Sequence, residues 1–185
     1  MPAMRADAAR SRSRILEAAR GRASESIRLN DLARETGLGV GTVYRHFPTV
    51  TSLIEALNID ALQELATTAR RVAQSSSPGA EFVSLVKGNA EAQLAREGLK
   101  ELLIAEDISP EARSLREEYR HFASVALEAA IRERRVRPEL TIEHIQQLTC
   151  GVEYAARLGD GSDYPLLLDV MIDGLRRHDR EAVPR

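Results

Sequence analysis

Glycines 37, 39 and 41, followed by Pro48, set the tightest limit on what this chain can fold into. Upstream of them Leu29, Leu32 and Ala33 recur at helical spacing, so a helix is expected to end at Gly37 in a left-handed cap. Leu38 supplies an apolar contact just past that cap. A second helix follows, in which only Val43 and Phe47 are apolar; four apart, they form its buried stripe. Pro48 cannot continue a helix and restrains the residue before it, so the second helix stops there. The expected segments are 10–23, 29–36 and 40–47. Two helices joined by a short glycine turn read as a helix-turn-helix, whose second helix enters the DNA major groove. Thr42, Tyr44, Arg45 and His46 then carry donors on its open face, suited to phosphates and base edges.

The run GLGVGTVYRHFPTVTSLIEAL resembles the N-terminal domain of TetR-type (TetR/AcrR) transcriptional repressors. The shared hallmark is a glycine turn, then Thr-x-Tyr-x-His-Phe, then a proline turn into a long helix. Ser13 to Arg20, SRILEAAR, is similar to that family's first helix. The close likeness covers the first quarter to third of the chain. It implies that Thr42, Tyr44 and His46 contact DNA, mostly its phosphates. It also implies that Val40 and Gly41 lie against base edges and that Arg28 to Asn30 approach the duplex; Asn30 and Arg45 are the weaker candidates. The chain departs from the pattern twice. Val50 stands where a phosphate-binding lysine is usual, which should weaken binding and flatten its salt dependence. The Arg20–Leu29 link is shorter than usual and lacks the customary aromatic.

An all-α fold is expected throughout. The 185 residues are rich in Ala, Leu, Glu and Arg, contain no Trp, and show no alternating apolar run. That length suits one ordinary domain or two small ones. The expected division is an arm and helix-turn-helix domain over 1–48, its first nine residues disordered, and a helical effector-binding and dimerisation domain over 49–185. Charge follows the same division. Residues 1–50 hold nine Arg, no Lys and five acids, a net of +4 in a chain of net −2. A basic head on an acidic body presents one end to DNA. Cys150 is the only cysteine, which excludes an intrachain disulfide and a thiolate cluster and fits the cytoplasm. Neither a signal peptide nor a membrane span is expected.

In the body, a helix capped by Thr49 or Thr51 should run to about Gln74, where Ser75 to Gly79 breaks the chain. Further helices are expected over 79–97, over Leu99 to Glu106, from Ser109-Pro110 to about Arg135, from Thr141 to about Leu158, and over Tyr164 to His178, before a polar tail. The last two are apolar on wide faces and joined by a short loop, hence an antiparallel pair. The resemblance implies that this pair packs against a second copy, giving a homodimer on a palindromic operator. It also implies a small-molecule effector held in the body, with Phe82, Leu103, Tyr119, Phe122, Cys150 and Tyr154 as pocket residues; plain core residues are the equal alternative. No cofactor is expected. The glycine turn follows no strand and carries no Gly-Lys-Ser/Thr, the histidines are scattered without metal-ligand spacing, and no local nucleophile–base pair suggests catalysis. The competing readings are a helical sensing module with weakened DNA binding and, further off, an enzyme built on a helical bundle.

Overall fold

A proline at the first helical position opens the first helix, where its missing N–H costs nothing and its fixed φ suits the helix. The computed structural model describes residues 2–177, with side chains from residue 6 onward. The Arg5 side chain, His178 and the polar tail lie outside the described residues. The elements are α1 (Pro2–Ala19), a 3-10 turn (Ser24–Ser26), α2 (Leu29–Thr36), α3 (Val40–His46), α4 (Val50–Ala73), α5 (Pro78–Ala95), α6 (Leu99–Ile104), α7 (Pro110–Arg132), α8 (Ile142–Leu158) and α9 (Tyr164–Leu175). Among the described residues there is no strand, only an isolated antiparallel bridge between Val136 and Arg176. The chain is all-helical.

The arm expected to be disordered is the first half of α1. Ala3, Met4, Arg5, Ala6, Ala8 and Ala9 are strong helix formers with no breaker among them, and propensity carries the helix where no apolar stripe marks it. At its other end α1 stops at Ala19, short of residue 23, and Gly21 follows at φ 71°. The caps follow local chemistry. Gly37 adopts φ 62°, and its N–H reaches back to the α2 carbonyls. Leu38 N–H bonds Ala33 O at 3.0 Å, closing the cap. Thr49 caps α4: Thr49 Oγ1 accepts from Ser52 N–H at 3.0 Å while Ser52 Oγ accepts from Thr49 N–H at 3.2 Å. At α8 Thr141 makes the same reciprocal pair with His144.

Two compact units result. One joins the residues up to Leu62 with Ala95–Ser114; the other joins Gln63–Leu94 with the residues from Leu115 on. The cut therefore falls inside α4 rather than at residue 48, because Leu53 and Ile54 of α4 belong to the same buried cluster as Ile15, Leu32, Val43 and Phe47. In the first unit the buried Asn58 amide donates to Ile54 O and to Glu97 O, both at 3.0 Å, tying the 95–98 turn to α4. The second unit is cored by Phe82, Val86, Ala126, Ile145, Leu168 and Ile172. Its α7 buries mostly alanine (Ala123, Ala126, Ala129 and Ala130).

Candidate nucleic-acid interface

α3 has two faces of different chemistry. Val43 and Phe47 are 0% and 2% exposed, and they fix which way the helix turns. Burying such side chains contributes about 1.5–3 kcal/mol each, more than any exposed contact on this short helix can oppose. The opposite face then stands in solvent: Val40 is 49% and Tyr44 43% exposed, with Gly41 and Arg45 also exposed and Thr42 and His46 half-buried. A Cβ added at Gly41 would meet nothing within 4 Å, so α3 presents bare backbone at that position.

Tyr44 does not stand alone. It lines a groove of about 310 Å³ with Arg28, Leu29 and Asn30 from the start of α2 and with Pro48, Thr49 and Val50 from the start of α4. The fold thus brings Arg28, Asn30 and Tyr44 together, whereas Arg45 is not part of the groove lining. Arg28 also works locally: its Nη1 donates to Glu25 O at 2.6 Å and Ile27 O at 2.9 Å, holding the chain ahead of α2. Position 50 is where the resemblance expects a phosphate-binding lysine and this chain has valine; Thr49 was not among the expected contact residues. The signal was present, since a cap residue marks where a helix N-terminus faces outward. Arg12 lies over the Phe47 ring at 5.3 Å, and Arg14 donates to Thr36 O, so α1 braces both helices from behind.

The residues expected to hold an effector are dispersed. Leu103 is buried in the first unit; Phe82, Tyr119, Phe122, Cys150 and Tyr154 belong to the second. There Phe82 and Tyr119 are buried, Phe122 and Cys150 half-buried, and Tyr154 is 61% exposed on the outside of α8. Burial pushes the Tyr119 phenol well above its usual range. What sequence reading missed is a part-buried polar ladder on α5 and α8. Gln93 Nε2 donates to Asn89 Oδ1 at 3.1 Å, and Gln146 Nε2 donates to Cys150 Sγ at 3.3 Å and Gln93 Oε1 at 3.5 Å. Glu153 and Thr149 are buried on the same helix as Cys150. The available signal was spacing: Asn89 and Gln93, and Thr149 and Glu153, are polar pairs four apart within mainly apolar helices.

Outside, α8 and α9 share an apolar groove of about 540 Å³ lined by Leu148, Val152, Ala155, Leu167, Val170 and Met171, among others. Leu148 is 43% and Val170 63% exposed, and Leu158 and Leu166 on the same two helices exceed 60%. Among the described residues no helix is long and apolar enough to cross a membrane, and no cluster of three metal-ligating side chains occurs.

The fold is that of TetR-type transcription regulators. A TetR transcriptional regulator from Streptomyces coelicolor superposes with a TM-score of 0.52 at 24% identity, covering 90% of this chain and 98% of that one. A TetR-family regulator from Agrobacterium tumefaciens gives 0.58 at 16% identity, over 91% and 99% of the two chains. SmeT in complex with triclosan gives 0.55 at 18% identity, over 94% and 97%. No protein-family model and no curated protein sequence matches the chain.

Proposed function

We propose that this chain, with its TetR-type fold, is a transcription regulator that binds a palindromic DNA operator as a homodimer and answers to a small molecule. The observation that carries the reading is α3, with its inner stripe buried and its donor-bearing face open above the groove shared by Arg28, Asn30 and Tyr44. Tyr44 takes a phosphate or thymine methyl, Thr42 and His46 take phosphates, and Val40 and the bare backbone at Gly41 lie against base edges. Arg45 is a secondary contact. Repression is the expected sign of control, and the site of action is the cytoplasm.

Dimerisation through α8 and α9 is supported by their exposed apolar residues, which a monomer would leave in water. Two-fold symmetry in the protein makes two-fold symmetry in the operator the natural match. The effector arm is supported by the polar ladder in the second unit and by SmeT, a protein of this fold that is found with triclosan. Phe82, Tyr119, Phe122 and Cys150 are the side chains nearest that role; Leu103, in the other unit, and the exposed Tyr154 have less claim to it. An effector would act by favouring the dimer state that cannot span two half-sites.

The test is selection of random duplex DNA by the full chain, with Tyr44→Ala alongside. A two-fold motif is expected, with an affinity loss of about 1–3 kcal/mol in the variant and dimerisation retained. No enrichment over Tyr44→Ala would favour the sensing-module reading instead.

A further inference from the structure

Val40 opens α3, and the fold leaves its side chain largely in water. It is 49% exposed and stands outside the buried cluster to which Val43 belongs and against which Leu38 packs. It takes no part in the groove that Tyr44 lines. A β-branched residue is a poorer helix former than alanine, so propensity does not favour valine here either. The first turn of α3 contains no acid, the residue type that would suit a helix start.

The glycines on either side of it have no reason inside the fold. Gly39 precedes α3 at φ −62° and ψ 139°, an extended conformation that any residue adopts. Gly41 is helical and is not among the glycines of positive φ. A Cβ at Gly39 would meet Thr42 Oγ1 at 3.8 Å, an ordinary contact, and one at Gly41 would meet nothing within 4 Å. Glycine within a helix is less stable than alanine, and Ser, Asp or Asn would cap α3 better than Gly39, which makes no side-chain cap bond. Gly37 differs, since its φ of 62° calls for glycine. Bareness at 39 and 41 therefore serves a surface that approaches α3 from outside. It leaves the Val40 methyls as the projection which that surface meets.

On the DNA-binding reading, on which this rests, we propose that Val40 is a specificity-determining residue that reads the 5-methyl group of one thymine in each half-site. An isopropyl group offers neither donor nor acceptor, and the apolar feature on the base edges of the major groove is the thymine methyl. The two glycines let the backbone of α3 come close enough for so short a side chain to reach it. α3 contains no Asn or Gln, the side chains that pair with adenine, and Arg45 is its one guanidinium. The thymine opposite Val40 is thus chosen by shape and apolar contact, without a hydrogen bond.

The experiment uses the full chain and the duplex motif it selects from random DNA. Each thymine of the half-site is replaced in turn, in both halves, by deoxyuridine, which deletes the methyl group and keeps every hydrogen-bonding group. At one thymine the affinity of the wild-type chain is expected to fall about fourfold per half-site, the worth of one buried methyl(ene) group. Val40→Ser, at an exposed position, should lose that response and bind the thymine and deoxyuridine duplexes within about twofold of each other, with helical circular dichroism unchanged. Tyr44→Ala, which weakens binding overall, should keep it. Val40→Gln should select adenine at the same base pair. A chain that selects no motif overturns the DNA-binding reading and this proposal with it. A motif without thymine, a deoxyuridine series without effect, or a set of responses unchanged in Val40→Ser overturns the proposal alone and leaves the regulator reading standing.

Discussion

Gly98 and Gly161 separate two costs of replacing glycine. Both have positive φ, 88° and 82°. At Gly98 an added Cβ would also meet Ile54 Cγ2 at 2.6 Å and Asn58 Nδ2 at 3.1 Å, while at Gly161 it would meet nothing within 4 Å. Gly161→Ala is therefore expected to cost the backbone term alone, about 1–2 kcal/mol, and Gly98→Ala clearly more, in urea unfolding. Tyr164 presents the opposite case. Its hydroxyl is buried without a partner, so Tyr164→Phe should be neutral or stabilise by up to about 2 kcal/mol. Burial first, then Glu91 and Glu153, push the Tyr164 phenol up to about 12 from 10.0. The folded-state value is the higher one, so this contribution is complete below pH 10 and fades as pH rises towards 12. Urea midpoints measured across that interval should fall less steeply in Tyr164→Phe. At this scale the sequence made Val43, Phe47 and Tyr44 legible, because each follows from spacing on its own helix. Gln93 was illegible as a buried polar contact, because its partner Gln146 comes from a helix far along the chain.

Elements were readable where a local residue decides them. Gly37, Pro48, Thr49, Ser109-Pro110 and Thr141 set ends that stand where cap chemistry puts them; Ser109 Oγ, for example, accepts from Ala112 N–H at 3.1 Å. Ends set by tertiary contact were not readable. α9 stops at Leu175 instead of reaching His178 because the chain pairs across to Val136. Arg137 N–H bonds Leu175 O and Arg177 N–H bonds Arg135 O, each at 3.1 Å. The start of α1 escaped for the reverse reason: periodicity detects packed faces, and those first turns are helical by propensity. The start of α4 allows a direct test of the groove. Val50 lines it beside Arg28 and Tyr44. Val50→Lys is expected to strengthen binding to every DNA sequence and to steepen the salt dependence by about one counterion per subunit. An unchanged slope in binding isotherms across salt concentrations would mean that position 50 does not face the phosphates.

For the whole molecule, the exposed apolar residues of α8 and α9 set the expected assembly. Leu148→Asp combined with Val170→Asp places charge in the shared groove and should yield monomers in size-exclusion chromatography with light scattering. On the proposed reading operator affinity should fall with it, since each monomer would hold one half-site. The all-helical class and the pairing of the last two helices were legible from composition and pattern; the basic head was not, because the acids of α4 and of residues 95–114 cancel the arginine excess of residues 1–50 within the unit that carries α3. The division into units was not, because it depends on which later segment returns to the head. That return bears on how such proteins can be recombined. The unit carrying α3 is written in two separate stretches of the gene, with a whole helix of the other unit between them. Grafting residues 1–62 onto a foreign body would strip Asn58 of its Glu97 partner and expose Ile54 where Gly98 now presses against it. On the proposed reading, DNA specificity is therefore not a cassette to be exchanged at a single junction; a working chimera has to carry residues 95–114 as well.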